Sequence, residues 1–72
     1  MGELANRLRE IRAERDLTQA ALAELVGVSR KTINTVENGI FIPSTLLALK
    51  LARALGRPVE DLFSLEPDSQ EL

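Results

Sequence analysis

The 72-residue chain holds no cysteine and no histidine. Their absence excludes a disulfide framework, a Cys/His zinc site and nucleophilic catalysis of the Cys or His kind. No metal and no cofactor are expected. A cysteine-free chain fits a reducing compartment, so the expected location is the cytoplasm. No apolar run approaches the ~20 residues needed to span a bilayer, and the N-terminus carries no signal-peptide pattern. No membrane partner is expected. There is no internal repeat, and no strand pattern competes with the helical periodicities. What the chain does have is apolar content: 44% of its residues, mostly Leu, Ala, Ile and Val. A domain under about 80 residues retains only a few kcal/mol of net stability, so it needs such a composition.

Basic charge is also scarce. Nine Lys and Arg stand against eleven Asp and Glu, for a net charge of −2. Taken whole, that argues mildly against a nucleic-acid partner, whose usual sign is a basic domain. The distribution is uneven, however. Residues 1–57 hold all nine cations and six acids, giving +3; residues 58–72 hold five acids and no cation, giving −5.

Leu4, Leu8 and Ile11 recur at helical spacing among charges, which predicts an amphipathic helix from about Glu3 to Arg15. Asp16 stands at the turn and Leu17 anchors it. Thr18 is a hydroxyl N-cap for a second helix from Gln19, and Gly27 ends that helix in a left-handed cap. Ser29 caps a third helix, Arg30 to Glu37. At about 100° per residue, Ile33 and Val36 share its inner side, while Lys31, Asn34 and Thr35 face outward. Asn38-Gly39 is a turn pair. The apolar run Ile40-Phe41-Ile42 stops at Pro43. Ser44 caps a fourth helix, Thr45 to Leu55, with Gly56 after it. Pro58 opens a short fifth helix, Val59 to Phe63. From Ser64 the chain is acidic and is expected to fray. The expected organisation is a domain over residues 1–63 and a flexible acidic tail over residues 64–72. The expected core is Leu8, Ile11, Leu17, Leu22, Ala23, Val28, Ile33, Val36, Leu51, Ala52, Leu55 and Phe63.

Leu17 to Gly39 carries the functional signal. Two short capped helices meet at a glycine turn, with the small Ala23 where they would cross. That is the pattern of a helix-turn-helix, whose second helix enters the roughly 12 Å major groove of B-DNA. At this point the chain resembles the Cro/C1-type, or XRE-like, helix-turn-helix domains of small phage repressors and prokaryotic transcriptional regulators. The match runs from about Asn6 to Phe63. It is carried by LRE-IR at Leu8 to Arg12, LTQ at Leu17 to Gln19, LA at Leu22-Ala23 and GVSRKTI at Gly27 to Ile33. ENG at Glu37 to Gly39, PS at Pro43-Ser44 and LARALG at Leu51 to Gly56 complete it.

The resemblance implies an all-α, compact five-helix lambda-repressor-like fold with the third helix as recognition helix. It assigns base reading to Arg30, Lys31, Asn34 and Thr35. Arg and Lys pair with the guanine O6/N7 edge, and Thr meets an edge or a thymine methyl. It assigns DNA-backbone contacts to Thr18, Gln19, Ser29, Thr32 and Asn38. For each, a solvated face or a turn requirement stays open as the alternative. It also implies an ion pair between Arg12 and Glu37, tying the first helix to the third.

Several positions depart from the family pattern. Asp16 replaces a turn glycine. Ile40 and Ile42 stand where polar or basic residues are common, and Leu25 and Leu46 where charged residues are. The surplus apolar side chains suggest an interface. A homodimer through Ile40, Ile42, Leu46, Leu62 and Leu65 is expected, with completion of the monomer core as the alternative.

The function expected is a sequence-specific double-stranded DNA-binding transcriptional regulator. It would be a repressor or autoregulator on a palindromic operator, associated with the nucleoid when bound. A chain of this length leaves no room for a ligand-sensing domain, so no small-molecule ligand is expected. The competing reading is a protein-interaction module, such as an antitoxin or partner-controlled regulator. An enzyme is not expected: adjacent acids such as Glu60 and Asp61 point ~100° apart on a helix. The acidic end should lie away from the DNA, where it repels wrongly oriented duplex or shields a basic face from non-specific phosphate binding.

Overall fold

A computed structural model describes residues 3–66. Strand β1 (Leu4–Asn6) comes first. Five helices follow: α1 (Leu8–Glu14), α2 (Gln19–Val26), α3 (Arg30–Glu37), α4 (Thr45–Leu55) and α5 (Val59–Leu62). Strand β2 (Phe63–Leu65) returns to pair with β1. The pairing is antiparallel, with Leu4 opposite Leu65, Ala5 opposite Ser64 and Asn6 opposite Phe63. It is extended at both ends, by the Arg7 amide donating to the Leu62 carbonyl at 2.9 Å and the Glu66 amide to the Glu3 carbonyl at 2.8 Å.

This small sheet corrects two expectations. The first helix begins at Leu8 rather than Glu3, because Asn6 stops it: the Asn6 Oδ1 accepts the Leu8 amide at 3.0 Å. Its Nδ2 donates to the Val36 carbonyl at 3.0 Å, which holds β1 against α3. The division expected at residue 63 falls inside β2, since Ser64 and Leu65 are paired. The rest of the expected tail, residues 67–72, lies outside the described residues.

The helix termini follow from local chemistry. Thr18, Ser29 and Ser44 each accept an amide of the turn that they open, from Ala21, Thr32 and Leu47 respectively. Asp16 adopts a left-handed conformation at φ 57°. Asp tolerates that region because its short side chain can bond locally.

The core is built from α1 to α5. Leu8, Ile11, Leu22, Ile33, Val36, Leu51, Leu55 and Leu62 are essentially inaccessible, and Ala23, Val26, Leu47 and Ala52 complete it. Leu17, Val28 and Phe63 are half-buried and pack against this cluster rather than forming its centre. Leu62, expected in a dimer interface, is instead 0% exposed. α5 directs it inward, so it has no area left for a partner. Among the described residues no helix is long and apolar enough to cross a membrane.

Candidate nucleic-acid interface

α2 and α3 form the most extensively packed helix pair in the chain. Ala23, on α2, is buried. Its single methyl lets two backbones approach. Gly27 then turns the chain at φ 78°, the left-handed region that glycine enters without cost. The result is a short helix, a sharp turn and a second helix with one face sealed by Ile33 and Val36.

The opposite face of α3 carries the candidate DNA-reading groups. Arg30 and Lys31 are exposed, while Thr32, Asn34 and Thr35 are half-buried. Neither cation forms an ion pair with a described residue. The Thr35 hydroxyl donates to the Thr32 carbonyl at 2.9 Å, which spends its proton within the helix and leaves the oxygen as an acceptor. The Ser29 oxygen accepts the Thr32 amide at 3.1 Å and shares a second bond with the Thr32 hydroxyl. Both hydroxyls are thus partly committed to the cap.

One carboxylate organises the rest. The Glu37 side chain is 0% exposed and gathers three other side chains around it. Arg12 donates through Nε at 2.6 Å and Nη2 at 3.2 Å; its Nη1 also bonds the Leu17 carbonyl at 2.8 Å. Gln19 donates through Nε2 at 2.9 Å, and Arg9 through Nε at 3.5 Å. Burial alone would push the Glu37 carboxyl up. The Arg12 and Gln19 hydrogen bonds, the Arg12 charge and the Arg9 bond outweigh it and hold it below the ordinary carboxylate value. Glu37 is therefore ionised at neutral pH, and it joins α1, α2 and α3 at a single point.

The charge state sets the direction of the neighbouring hydrogen bonds. An ionised carboxylate only accepts, so Gln19 must present its nitrogen. The same nitrogen donates to the Asn34 Oδ1 at 3.2 Å, so Asn34 must present its oxygen inward. Asn38 adds a second bond to that oxygen, at 3.2 Å. The Asn34 NH2 is left to face outward. It offers donors only, which suits an acceptor on a base edge rather than the bidentate Asn–adenine pair.

The network engages two side chains that were expected at the DNA backbone. Gln19 was expected to reach a phosphate with its side chain, but its NH2 is turned inward onto Glu37 and Asn34. Its remaining oxygen is an acceptor and cannot bind an anion. The main-chain amides of the first α2 turn, at Gln19 and Ala20, remain as donors at that helix end. Asn38 likewise spends its NH2 on Asn34 and its oxygen on Arg9, at 2.9 Å. Arg9 was missed from sequence. The signal was its place three residues before Arg12, on the same side of α1. Ile40, Ile42, Leu46 and Leu65 are all exposed, and so are Phe41 and Leu49, which the expected interface omitted.

A sealed helix, a glycine turn and a second helix fixed on three sides, with cations and amide donors outward, make up the helix-turn-helix of a DNA-binding domain. Comparison with known proteins agrees. The family described as helix-turn-helix matches residues 8–62. An HTH-type transcriptional regulator of Methanothermobacter thermautotrophicus is 53% identical over 62 residues, spanning 85% of this chain and 90% of that protein. The HTH-type transcriptional regulator YgzD of Bacillus subtilis (strain 168) is 41% identical, over 92% of this chain and all of that protein. Among solved structures, the restriction-modification controller protein C.AhdI of Aeromonas hydrophila superposes with a TM-score of 0.73 at 40% identity. That match covers 76% of this chain and 83% of the controller. The P22 c2 repressor, solved with a synthetic operator, gives 0.72 at 33% identity, covering 75% and 82%. The chain belongs to the Cro/C1-type helix-turn-helix family. It is a transcriptional regulator with a helix-turn-helix DNA-binding domain, not an enzyme.

Proposed function

We propose that the chain is a repressor or autoregulator that binds a palindromic operator as a homodimer. One α3 enters the major groove of each half-site, with half-site centres about one DNA turn (~34 Å) apart. The observation that carries this reading is the outward face of α3. Arg30, Lys31, the Asn34 NH2 and Thr35 share it, and the Glu37 hub behind it orients Asn34 through Gln19. Arg30 and Lys31 supply guanine or phosphate contacts, Asn34 donates to a base acceptor, and Thr35 meets a thymine methyl. Thr18, Ser29 and Thr32, with the first α2 amides, line the phosphates on either side.

The dimer reading rests on Ile40 and Ile42, which are 76% and 72% exposed directly after α3. Leu46, Leu49 and Leu65 extend the apolar surface; Leu62 is excluded by its burial. The same exposed aliphatics favour a second reading, in which contact with another protein is the main task.

Two measurements separate the readings. Lys31→Ala with Thr35→Ala should lower operator affinity roughly 10- to 100-fold, the value of one or two base contacts, without moving the melting temperature. Unchanged affinity would overturn the assignment of α3. Light scattering at tens of micromolar should show a dimer that Ile42→Glu converts to monomer. A monomeric parent would remove the dimer.

A further inference from the structure

Four of the nine cations are paired with acids, and five are not paired among the described residues: Arg15, Arg30, Lys31, Lys50 and Arg53. Arg15 lies against the end of α4, where a Cβ on Gly56 would stand 2.9 Å from its Nη2. Arg30 and Lys31 belong to the DNA-reading face. Lys50 and Arg53, three residues apart on α4, have no such role. They line a groove with Leu25 and Gly27. The groove continues past Lys50 to Val28, Phe41 and Leu46. The two leucines that replace common charged residues, Leu25 and Leu46, therefore border one continuous surface. Glu24 also lines it but pairs with neither cation.

The chain itself contains an occupant of complementary chemistry. Residues 67–72 read Pro-Asp-Ser-Gln-Glu-Leu: two carboxylates three residues apart, one aliphatic residue and no cation. They follow Glu66, whose amide bonds the Glu3 carbonyl. Glu3 lines a cleft with Ile42 and Pro43, just ahead of α4. At about 1.5 Å per helical residue, Lys50 stands roughly 10 Å along the α4 direction from Pro43. Six extended residues reach about 20 Å. The segment is long enough to cross the α4 ridge and meet both cations.

We propose that residues 67–72 dock in this α4 groove of their own chain. Asp68 and Glu71 face Lys50 and Arg53, and Leu72 lies on Leu25. A short tether gives the segment a local concentration in the millimolar range, so pairwise contacts that are weak at an exposed site suffice. Docking neutralises the cations that α3 does not use. The basic face that the acidic end shields is then the α4 face rather than the DNA-reading one.

The absence of cysteine makes the test direct. Ser69→Cys supplies a single attachment point for a spin label on the full 15N-labelled chain. The amides of Leu25, Gly27, Lys50 and Arg53 should broaden. The effect should fall severalfold in 1 M salt, where the screening length is about 3 Å, and equally in Lys50→Glu with Arg53→Glu. Both positions are exposed, so that variant should keep its fold; Asp68→Lys with Glu71→Lys, read as amide shifts at the same four residues, repeats the test from the tail side. Broadening confined to Glu3 and Ile42, or insensitive to salt and charge reversal, overturns the proposal. A mixture of spin-labelled 14N chains with unlabelled 15N chains, both carrying Ile42→Glu to keep them monomeric, must show no broadening in the groove. Broadening there would place the segment on a second copy and overturn docking within one chain.

Discussion

Replacing Glu37 by alanine removes the carboxylate that joins three helices. The side chain is 0% exposed and takes four hydrogen bonds, from Arg12, Gln19 and Arg9. Arg12 is the partner left behind, at 15% exposure. Removing one member of a buried ion pair costs about 3–5 kcal/mol, because the other charge stays desolvated. Arg12 keeps its bond to the Leu17 carbonyl, and Arg9, 61% exposed, simply returns to water. The lower end, about 3 kcal/mol, is therefore expected. In a domain of this size each kcal/mol moves the melting temperature by about 4–8 °C, so a fall of about 12–24 °C should follow. The control is Glu10→Ala. Its Arg7–Glu10 pair is exposed on both sides and should contribute under about 1 kcal/mol. Thermal melts followed by circular dichroism decide the matter, and a Glu37→Ala fall no larger than the Glu10→Ala fall refutes the hub. The pH dependence supplies a sign. The folded carboxyl binds its proton less tightly than the unfolded one. Its stabilisation is complete above the unfolded value, about 4.3, and is lost as pH falls through the lower folded value. The gap between the parent and Glu37→Gln should be full at pH 7 and close in acid.

Gln19→Ala should lower stability by about 1.5–3 kcal/mol, the usual value of a hydrogen bond to a charged group. It should also relax discrimination at the base read by Asn34, measured by competition among operator variants; loss of neither would show that Gln19 does not set the Asn34 orientation. Gly27→Ala should cost about 1–2 kcal/mol, because the residue is left-handed while nothing stands within 4 Å of an added Cβ. A raised melting temperature would contradict that backbone argument. Leu62→Ala should destabilise by about 2–5 kcal/mol, whereas Ile42→Ala should leave the folded monomer within about 0.5 kcal/mol. Similar losses in chemical denaturation would mean that Ile42 belongs to the core.

The helix-turn-helix was legible in the sequence because its determinants are local. Thr18, Ser29 and Ser44 signal helix starts within a single turn, and Gly27 and Gly56 signal stops. The strands were not legible. Each has three residues, too few to show a period, and the partners lie nearly the whole chain apart. Leu4 fits the Leu8–Ile11 helical spacing, so the periodicity ran on past the point where Asn6 ends the helix. Phe63 and Leu62 exchanged places for a similar reason. α5 is one turn long, and only its packing decides which of two neighbouring apolar residues points inward. At the candidate site, residue types identified the outward face of α3 but not how each hydrogen bond is directed. The inward turn of Gln19 and Asn34 depends on a carboxylate 18 and 3 residues away and on its charge. No spacing rule contains that information.

In the proposed function, α3 of this domain reads duplex DNA as one half of a symmetric pair. Selection of binding sites from random duplexes at two salt concentrations tests it most directly. An enriched palindrome with half-sites about one turn apart is expected, with affinity that falls steeply with salt as phosphate-bound counterions are released. No enrichment even at low salt would contradict it.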